Sequence, residues 1–265
     1  MENKKIAIIG CGNLGASILH GLIDHENYPS ENITATKRNI LSIKHLEQHG
    51  ITITTDNVLA VNNSDIIIVA LKPYNILPVL SELKESFIPG KHILVSAATG
   101  VTLAEIRSAV GNEIPVFRAM PNTAADVKQS VTCICAENYK TEDMELVVAV
   151  FNIIGTSLVI NEDLMESATV LGACGIAYVL RFIRAMIQGG IQIGFDANTA
   201  TKIVTQTVRG ASELLIERNQ HPEHEIDKVT TPRGCTIVGL NEMEHNGFSS
   251  SLIKGLVASF QKIEK

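Results

Sequence analysis

The sequence predicts an α/β protein in two parts, an N-terminal domain built on a parallel sheet and an all-helical C-terminal domain. Short continuous apolar runs alternate with helical patterns over the first 160 residues; after residue 160 the strand-like runs stop and helical periods continue. Continuous apolar strands separated by helices are typical of a parallel sheet covered on both faces. The predicted domains are therefore residues 1–160 and 161–265.

The apolar runs and the periodic stretches give the order of the elements. Strands are expected at residues 6–10, 33–36, 51–54, 66–71, 93–97, 116–120, 131–136 and 157–160. Helices are expected at residues 13–24, 40–49, 75–84 and 102–110 in the first domain, and at 163–188, 197–218 and 249–263 in the second. Charges at Glu166, Arg181 and Arg184 interrupt the apolar stretch 164–193. This stretch predicts a helix buried in a bundle or between subunits rather than a membrane span.

Composition argues against several classes of partner. The chain of 265 residues is 45% apolar and 19% charged with a formal net charge of −6, and it has no basic tract. Nucleic acid and membranes are therefore not expected partners. The N-terminus lacks the layout of a signal peptide and the five cysteines are scattered, which predicts a cytoplasmic protein with reduced thiols. Cys133 and Cys135 have no histidine at metal-ligand spacing, so no metal site is expected.

The stretch AIIGCGNLGASILHGLI, residues 7–23, carries the first functional motif. Gly10, Gly12 and Gly15 follow a predicted strand and open a predicted helix at G-x-G-x-x-G spacing. In that context the first glycine permits a sharp turn, the second lets the backbone approach a pyrophosphate, and the third lets helix and strand pack closely. The helix N-terminus offers free N–H groups to phosphates. The motif predicts a Rossmann-like dinucleotide-binding domain; the alternative is a tight turn without a ligand.

The end of the second predicted strand indicates which dinucleotide binds. NAD sites usually have Asp or Glu there for the ribose 2′-OH, whereas this chain has Thr36, Lys37, Arg38 and Asn39. Two cations and no acid favour a 2′-phosphate, which arginine can grip with its planar fork. The sequence therefore predicts NADP(H), with NAD(H) as the alternative cofactor. The alternative interpretation of Lys37 and Arg38 is that they are solvated loop charges.

Seven motifs, taken in order, make the chain resemble the pyrroline-5-carboxylate reductases. They are GCGNLG, ALKPYN, SAATGVT, RAMPNTAADV, GACGIAYV, QTVRGASELL and VTTPRGCTIVGLNEMEHNGF, and they cover nearly the whole chain. The resemblance implies the last step of proline biosynthesis, in which hydride passes from NADPH to the C=N bond of 1-pyrroline-5-carboxylate and gives L-proline. It also implies that the helical C-terminal domain is a dimerisation domain, forming a homodimer, with a larger ring of dimers as the alternative.

The resemblance further implies site residues. Those for the cofactor are Gly10, Cys11, Gly12, Asn13, Leu14, Gly15, Thr36, Lys37, Arg38, Asn57, Leu71, Lys72, Pro73, Ala97, Ala98 and Thr99. Those for the substrate are Cys174, Asn219, Gly234, Cys235 and Thr236. Thr236 is the expected catalytic residue, because the family's matching threonine holds the substrate. An iminium accepts hydride readily, so the main task is to position two molecules and no strong protein acid is expected. The alternative for Thr236 is that it is only a helix N-cap.

Departures from the family pattern keep a second function open. Cys174 and Ile176 replace the serine and proline of the family's SGPAY, and Arg233 replaces the first glycine of the substrate loop. Arginine would be strained there if the loop needs a positive φ. The alternative function is a drifted reductase-like NADP(H)-binding paralogue that acts on another imine or serves a regulatory role. The β-hydroxyacid dehydrogenases, with a similar layout, have a catalytic lysine on a central helix, and residues 164–188 contain no lysine.

Overall fold

The structure is a computed structural model, and it describes residues 4–25 and 28–263. These residues form two compact units. The first unit runs to Ile176 and takes up the chain again at Phe260, and the second is Ala177–Ser259. The first contains the sheet and the second is helical. The boundary between the two units, after Ile176, lies further along the chain than the predicted domain boundary after residue 160. The extent of the two functional domains stays a prediction.

The sheet of the first unit has eight strands among the described residues. They are β1 (Ile6–Ile9), β2 (Ile33–Thr36), β3 (Thr52–Thr54), β4 (Ile66–Val69), β5 (Ile93–Ser96), β6 (Val116–Met120), β7 (Ser130–Ala136) and β8 (Gly155–Val159). Their order is β3-β2-β1-β4-β5-β6-β7-β8, and β1 to β6 are parallel. Every predicted strand is present. The continuous apolar runs of β1, β4 and β5 are buried on both faces, as the interpretation required.

One pairing differs from the predicted parallel sheet. β7 runs antiparallel to β6, with Phe117 opposite Ala136 and Met120 opposite Cys133, and β8 is parallel to β7. The cause is the short connection, because a parallel return needs a crossover of about a dozen residues or more. Here the chain makes only a 3-10 turn at Thr123–Val127 before β7 begins. The reversal brings the start of β7 beside the carboxyl end of β6.

Helices cover both faces of the sheet. They are α1 (Asn13–Ile23), α2 (Asn57–Asn62), α3 (Pro73–Glu82), α4 (Leu103–Val110) and α5 (Thr141–Asn152). Alternate residues of each strand point to opposite faces. Accordingly Ile8 and Ile68 belong to the core cluster that includes residues of α1 and α5, while Ile9 and Ile67 belong to the cluster that includes residues of α2, α3 and α4. The predicted coverage of both faces is confirmed.

The helix predicted at residues 40–49 is instead two 3-10 turns, Ile40–Ser42 and Lys44–His49. The buried side chains of this segment are Ile43 and Leu46. They are three residues apart, and side chains at that spacing line up on a 3-10 helix, which has three residues per turn. The apolar pattern therefore correctly indicated a helical segment that packs on the core, but it predicted an α-helix where the chain forms 3-10 turns.

The helix predicted at residues 163–188 is also interrupted. After β8 the chain forms α6 (Met165–Ala168), then a π-helical turn at Thr169–Cys174, then α7 (Gly175–Gln192). The hydroxyl of Thr169 donates a hydrogen bond of 2.9 Å to the carbonyl of Met165. Hydrogen bonds of this kind often bend helices.

The second unit is built from helices throughout. It contains the remainder of α7, then α8 (Ala197–Arg218), α9 (Pro222–Val229), α10 (Cys235–His245) and most of α11 (Phe248–Ile263). α8 has its predicted bounds and α11 begins one residue early. The hydroxyls of Tyr178 and Ser259 lie 2.5 Å apart, and Phe182 packs against Phe248, so α7 contacts α11 within this unit.

Much of the apolar surface of the long helical stretch is exposed in the single chain. Among the described residues one stretch, Glu162–Gln192, is long and apolar enough by length and composition to cross a membrane. An 18-residue segment within it has a mean hydropathy of 1.7, and 6% of that segment is buried. Length and composition alone are a weak indication, because the core helix of a soluble protein passes the same test. The single chain buries little of this stretch, and its burial in a bundle or between subunits stays a prediction.

Candidate functional site

The loop between β1 and α1 has the shape that the glycine motif predicts. Gly10 has a φ of 94°, and a Cβ there would lie 2.5 Å from Cδ2 of Leu71. A Cβ on Gly15 would lie 2.4 Å from the carbonyl oxygen of Gly10, so the contact between helix and loop also needs glycine. A Cβ on Gly12 would meet nothing within 4 Å, and its φ is an ordinary −74°. Gly12 therefore faces open space, which is where a phosphate could approach the backbone.

Helix α1 itself has no side-chain cap and no acidic residue in its first turn that would compete with an anion. Gly12 is the N-cap and supplies no side-chain hydrogen bond, and the first turn has no acidic residue. The N–H groups of the first turn and the helix dipole leave a partial positive charge there. Burial raises the pKa of the Cys11 thiol to about 12, so this thiol stays neutral and adds no negative charge. This end of α1 fits a phosphate group.

Thr36 joins the glycine loop to the end of β2 and the start of α2. Its carbonyl accepts hydrogen bonds from the N–H groups of Gly10 and Cys11 at 3.2 and 2.9 Å. Its hydroxyl donates to Oδ1 of Asn57 at 2.7 Å. Thr36 occupies the strand end where NAD sites usually have an acid. The structure thus brings together four of the predicted cofactor residues by direct hydrogen bonds.

The two cations predicted to bind a phosphate follow β2. The N–H of Lys37 donates to the carbonyl of Thr54 at 3.3 Å, which fixes the backbone at this point. The side chain of Lys37 is half-buried and that of Arg38 is exposed. Within residues 4–25 and 28–263 neither side chain forms an ion pair with a carboxylate. Both charges are therefore free to meet an external anion.

The chain after β4 and β5 lies at the same edge of the sheet as the glycine loop. The N–H of Ala70 donates to the carbonyl of Ile9 at 2.8 Å, and the N–H of Ala97 donates to the carbonyl of Val69 at 2.9 Å. Doubly wound sheets bind their ligands at this carboxyl edge. The predicted cofactor residues placed there are Leu71, Lys72, Pro73, Ala97, Ala98 and Thr99. Pro73 is the first residue of α3, with the exposed Lys72 as its N-cap.

The connection after β6 contains a buried polar side chain that the sequence interpretation did not single out. Asn122 donates its N–H to Oγ of Ser130, accepts the N–H of Ala124 on Oδ1, and donates from Nδ2 to the carbonyl of Gly172, each at 3.0 Å. The RAMPNT motif marks this loop as distinctive. It does not reveal that the carboxamide reaches a carbonyl fifty residues further on.

A buried ion-pair cluster on β6 was also missed. Arg118 is 2% exposed and donates to Oε1 of Glu162 at 3.0 Å and to Oε1 of Glu166 at 2.7 Å. The Glu162 Oε1 also accepts the N–H of Leu103, the first residue of α4, at 2.7 Å. Burial alone would lower the pKa of Arg118, but the hydrogen bonds to Glu166 and Glu162 outweigh it and raise that pKa. The cluster ties β6 to α4 and to the helical segment after β8.

In the second unit the predicted substrate residues lie at two helix ends. Asn219 ends α8 in the left-handed conformation, with a φ of 49°. The turn before α10 is closed by a 2.9 Å hydrogen bond from the N–H of Gly234 to the carbonyl of Thr231. α10 begins at Cys235 with Gly234 as its N-cap. Thr236 is the second residue inside the helix, so the alternative that it is the N-cap is wrong.

The start of α10 also fits an anion. Gly234 gives no side-chain cap, and the first turn has no acidic residue. A Cβ on Gly234 would lie 2.6 Å from Oγ1 of Thr231, so the turn needs glycine at that position. Arg233, one residue earlier, has a φ of 63° and an exposed side chain. The position does adopt the left-handed backbone, and the arginine is therefore strained as anticipated.

The remaining predicted substrate residue, Cys174, ends the π-helical turn of the first unit. Ile176, where the family pattern has proline, follows in α7 without a break in the helix. Over the part of the chain that the structure describes, no group of three or more His, Cys, Asp and Glu side chains could hold a metal ion.

Comparison with known proteins links both parts of the chain to one family. Residues 162–265 match the model described as pyrroline-5-carboxylate reductase dimerisation, and residues 5–100 match that described as NADP oxidoreductase coenzyme F420-dependent. Pyrroline-5-carboxylate reductase 2 of Dictyostelium discoideum is 40% identical, and the match covers 100% of this chain and 93% of that protein. Pyrroline-5-carboxylate reductase 1 of the same organism is 44% identical over 99% of this chain, which spans half the length of that relative.

A solved structure agrees over the full length. The crystal structure of Plasmodium falciparum pyrroline carboxylate reductase with NADP bound has a TM-score of 0.91 and 27% identity to this chain, and the match covers 99% of this chain and 98% of that one. The sheet with its glycine loop, followed by helices, defines a Rossmann-like dinucleotide-binding oxidoreductase with a helical C-terminal domain. The predicted fold class is confirmed. The chain belongs to the pyrroline-5-carboxylate reductase family.

Proposed function

We propose that this chain is a pyrroline-5-carboxylate reductase, which transfers hydride from NADPH to the C=N bond of 1-pyrroline-5-carboxylate and yields L-proline. The observation that carries the proposal is the full-length similarity to relatives of that name, one of which is 40% identical with 93% of its length covered. The forms of the glycine loop and of the start of α10 support it, because each suits an anionic group that the reaction requires.

NADP(H) is the proposed cofactor, with the nicotinamide supplying the hydride. The open space at Gly12 and the uncapped start of α1 suit the pyrophosphate. Thr36 is a neutral residue at the position where an acidic side chain would repel a 2′-phosphate. Lys37 and Arg38 follow it and form no ion pair with a carboxylate of the described residues. Asn57, held by Thr36, is proposed to lie on the adenosine side. The residues after β4 and β5 are proposed to lie on the nicotinamide side.

The substrate carboxylate is proposed to bind at the start of α10, with Asn219, at the end of α8, close by. The backbone N–H groups of Cys235 and Thr236 and the Thr236 hydroxyl would donate to it, and the helix dipole favours an anion at this end. Thr236 is the proposed catalytic contact. The imine nitrogen takes its proton from solvent before the reaction, hydride then forms the new C–H bond, and the C=N π electrons become the amine lone pair. The residues of this chain bind, orient and exclude water rather than move a proton.

We also propose that residues 161–265 form the substrate-binding and dimerisation region of a homodimer. The dimerisation model matches residues 162–265, and the apolar stretch Glu162–Gln192 is largely exposed in a single chain. A dimer buries such a surface against a second copy. A larger ring of dimers is the alternative assembly. The cytoplasmic location, and the lack of nucleic-acid and membrane partners, stay predictions.

The first experiment measures NADPH and NADH oxidation by the purified protein with 1-pyrroline-5-carboxylate. We expect turnover that is faster with NADPH. The double variant Lys37→Ala/Arg38→Ala should lower kcat/KM for NADPH by roughly 10- to 100-fold, the range expected for losing charge-assisted hydrogen bonds, and leave NADH little changed. Lys84→Ala, an exposed lysine between α3 and β5, is the matched control.

Each other outcome of that experiment has a distinct meaning. Turnover that prefers NADH would keep the reaction and reject the cofactor assignment. Tight NADPH binding without turnover of 1-pyrroline-5-carboxylate would reject the reaction and favour a drifted paralogue that acts on another imine or serves a regulatory role. In that case reverting Arg233→Gly and Ile176→Pro tests whether the departures from the family pattern are responsible.

A further inference from the structure

Asn122 lies just beyond the carboxyl end of β6, and no step of the proposed reaction uses it. It is 5% exposed. Its N–H bonds to Oγ of Ser130 and its Oδ1 accepts the N–H of Ala124, both at 3.0 Å. The bond to Oδ1 fixes the orientation of the carboxamide, because Oδ1 must face an N–H group. The Nδ2 group is then the donor available to other parts of the first unit.

That donor reaches the π-helical turn Thr169–Cys174. Nδ2 donates to the carbonyl of Gly172 at 3.0 Å. A Cβ on Gly172 would lie 3.2 Å from Cγ1 of Val131, so the turn approaches the start of β7 closely. π-helical turns are rare and occur frequently at functional sites. A carbonyl in such a turn deviates from the α-helical hydrogen-bond ladder, so a fixed external donor stabilises the wide turn.

Cys174 is the last residue of this turn and is among the proposed substrate residues. We propose that Asn122 is a positioning residue for the imine substrate. By holding the carbonyl of Gly172 it maintains the π-helical turn, and the turn sets where Cys174 lies. The assignment of Cys174 to the substrate rests on the proposed function, whereas the contact between Asn122 and Gly172 does not.

The test replaces one atom of the carboxamide. Asn122→Asp keeps the shape and the acceptor for Ala124, but it puts an oxygen in place of the donor that faces Gly172. We expect amide hydrogen exchange in residues 169–176 to become at least about tenfold faster, the change that follows from losing one buried hydrogen bond. We expect KM for 1-pyrroline-5-carboxylate to rise about tenfold for the same reason, while KM for NADPH stays within about twofold.

Ser130→Ala is the matched control. It removes the acceptor of the Asn122 N–H and leaves the carboxamide free to hold Gly172. We expect exchange in residues 169–176 and KM for the imine to stay within about twofold of the wild-type values. If Asn122→Asp does not fold, Gly172→Ala disturbs the same contact from the other side, because its Cβ would press on Val131. It should give the same split between the two KM values.

The proposal is overturned if Asn122→Asp leaves exchange in residues 169–176 unchanged. It is also overturned if that exchange becomes faster while KM for the imine stays unchanged. A rise in both KM values in Asn122→Asp and in Ser130→Ala would overturn it as well, because a merely structural role would give that result. Absence of turnover by the wild-type enzyme would overturn the proposed function instead, and the exchange measurement would still decide whether Asn122 holds the turn.

Discussion

At the scale of single residues, Gly12 is the position where packing and ligand binding can be told apart. A Cβ there would meet nothing within 4 Å and the backbone is ordinary. Gly12→Ala should change stability by less than about 0.5 kcal/mol, yet weaken NADPH binding by about tenfold or more, because the methyl group would stand where the pyrophosphate approaches. Thermal melts and a fluorescence titration with NADPH measure the two effects. NADPH affinity equal to that of the wild type would contradict the assignment.

Gly15→Ala provides the contrasting variant at the other end of the loop. Its Cβ would lie 2.4 Å from the carbonyl oxygen of Gly10, which is backbone and cannot swing aside. This variant should lose both stability and NADPH affinity. The pair of variants therefore separates a glycine needed for close packing from one needed for access.

Arg233 should limit the stability of the turn before α10. Its φ of 63° is unfavourable for a residue with a Cβ by about 1–2 kcal/mol, and the larger backbone entropy of unfolded glycine offsets part of the gain from replacing it. Arg233→Gly should therefore raise stability by about 0.5–1 kcal/mol. Arg233→Lys keeps the strained backbone and should leave the free energy of unfolding unchanged. Chemical unfolding of the three proteins checks this, and an equal gain in both variants would contradict the explanation.

Arg233→Gly also tests whether the guanidinium assists substrate binding. The side chain is exposed and, within the described part of the chain, has no carboxylate partner. If the charge attracts the substrate carboxylate, KM for 1-pyrroline-5-carboxylate rises in Arg233→Gly and stays near the wild-type value in Arg233→Lys. An unchanged KM in both variants would leave Arg233 without a part in binding.

His92 should make stability fall at acidic pH. It is 1% exposed; its Nδ1 accepts the N–H of Ile88, and its Nε2 has no partner within the described residues. Burial, aided by the charge of Lys91, lowers the pKa of His92 in the folded state. The unfolded chain therefore binds the proton more readily, and the contribution to stability is full above about pH 6.5 and lost as the pH falls below it. His92→Gln should flatten this slope between pH 7 and pH 5, measured by urea unfolding; an unchanged slope would argue against His92.

At the scale of elements, the Arg118 cluster holds β6, α4 and the segment after β8 together. Arg118→Met should destabilise the protein by about 2–4 kcal/mol, because it leaves two partly buried carboxylates without their cation. Glu166→Gln keeps a hydrogen-bond acceptor for Arg118 and leaves the Glu162 carboxylate in place. Its loss of stability should therefore be nearer to that of one neutral hydrogen bond, about 1 kcal/mol. Chemical unfolding distinguishes the two, and equal losses would show that charge pairing is not what stabilises the junction.

The sequence predicted elements well where the cause of the structure is local. The continuous apolar runs of β1, β4 and β5 are buried, and the glycine loop adopts the turn that its spacing requires. The direction of β7 was predicted wrongly, because direction depends on the length of the preceding connection and not on the strand's own residues. The π-helical turn leaves no periodic signal in an apolar helix.

Site residues, too, could be predicted from the sequence only where the signal is local. Thr36, Lys37 and Arg38 could be chosen because Thr36 ends a recognisable strand and the two cations follow it directly. Asn122 and Arg118 could not, since their roles depend on partners at Gly172, Glu162 and Glu166, which are distant in the sequence. One sequence without structural contacts gives no reason to pair them.

At the scale of the whole molecule, dimer formation should depend on the exposed apolar face of α7. Leu180 is 58% exposed in the single chain. A charge at the centre of an apolar interface is strongly unfavourable, so Leu180→Glu should convert the dimer to monomer in size-exclusion chromatography with light scattering. Ile88→Glu, at a 48% exposed aliphatic residue of the first unit, is the control and should stay dimeric. A wild-type monomer, or a dimer that survives Leu180→Glu, would contradict the proposed interface.

The order of the strands has a consequence for the synthesis of the chain on the ribosome. β2 pairs with β1, β3 with β2, β4 with β1, and each later strand with the one made just before it. Every strand that leaves the exit tunnel therefore finds its neighbour already outside, and no edge has to wait for a strand still to be translated. The sheet can grow outward from its first strand while translation continues. The helices that follow β8, from α6 (Met165–Ala168) onward, emerge after the last strand of the sheet.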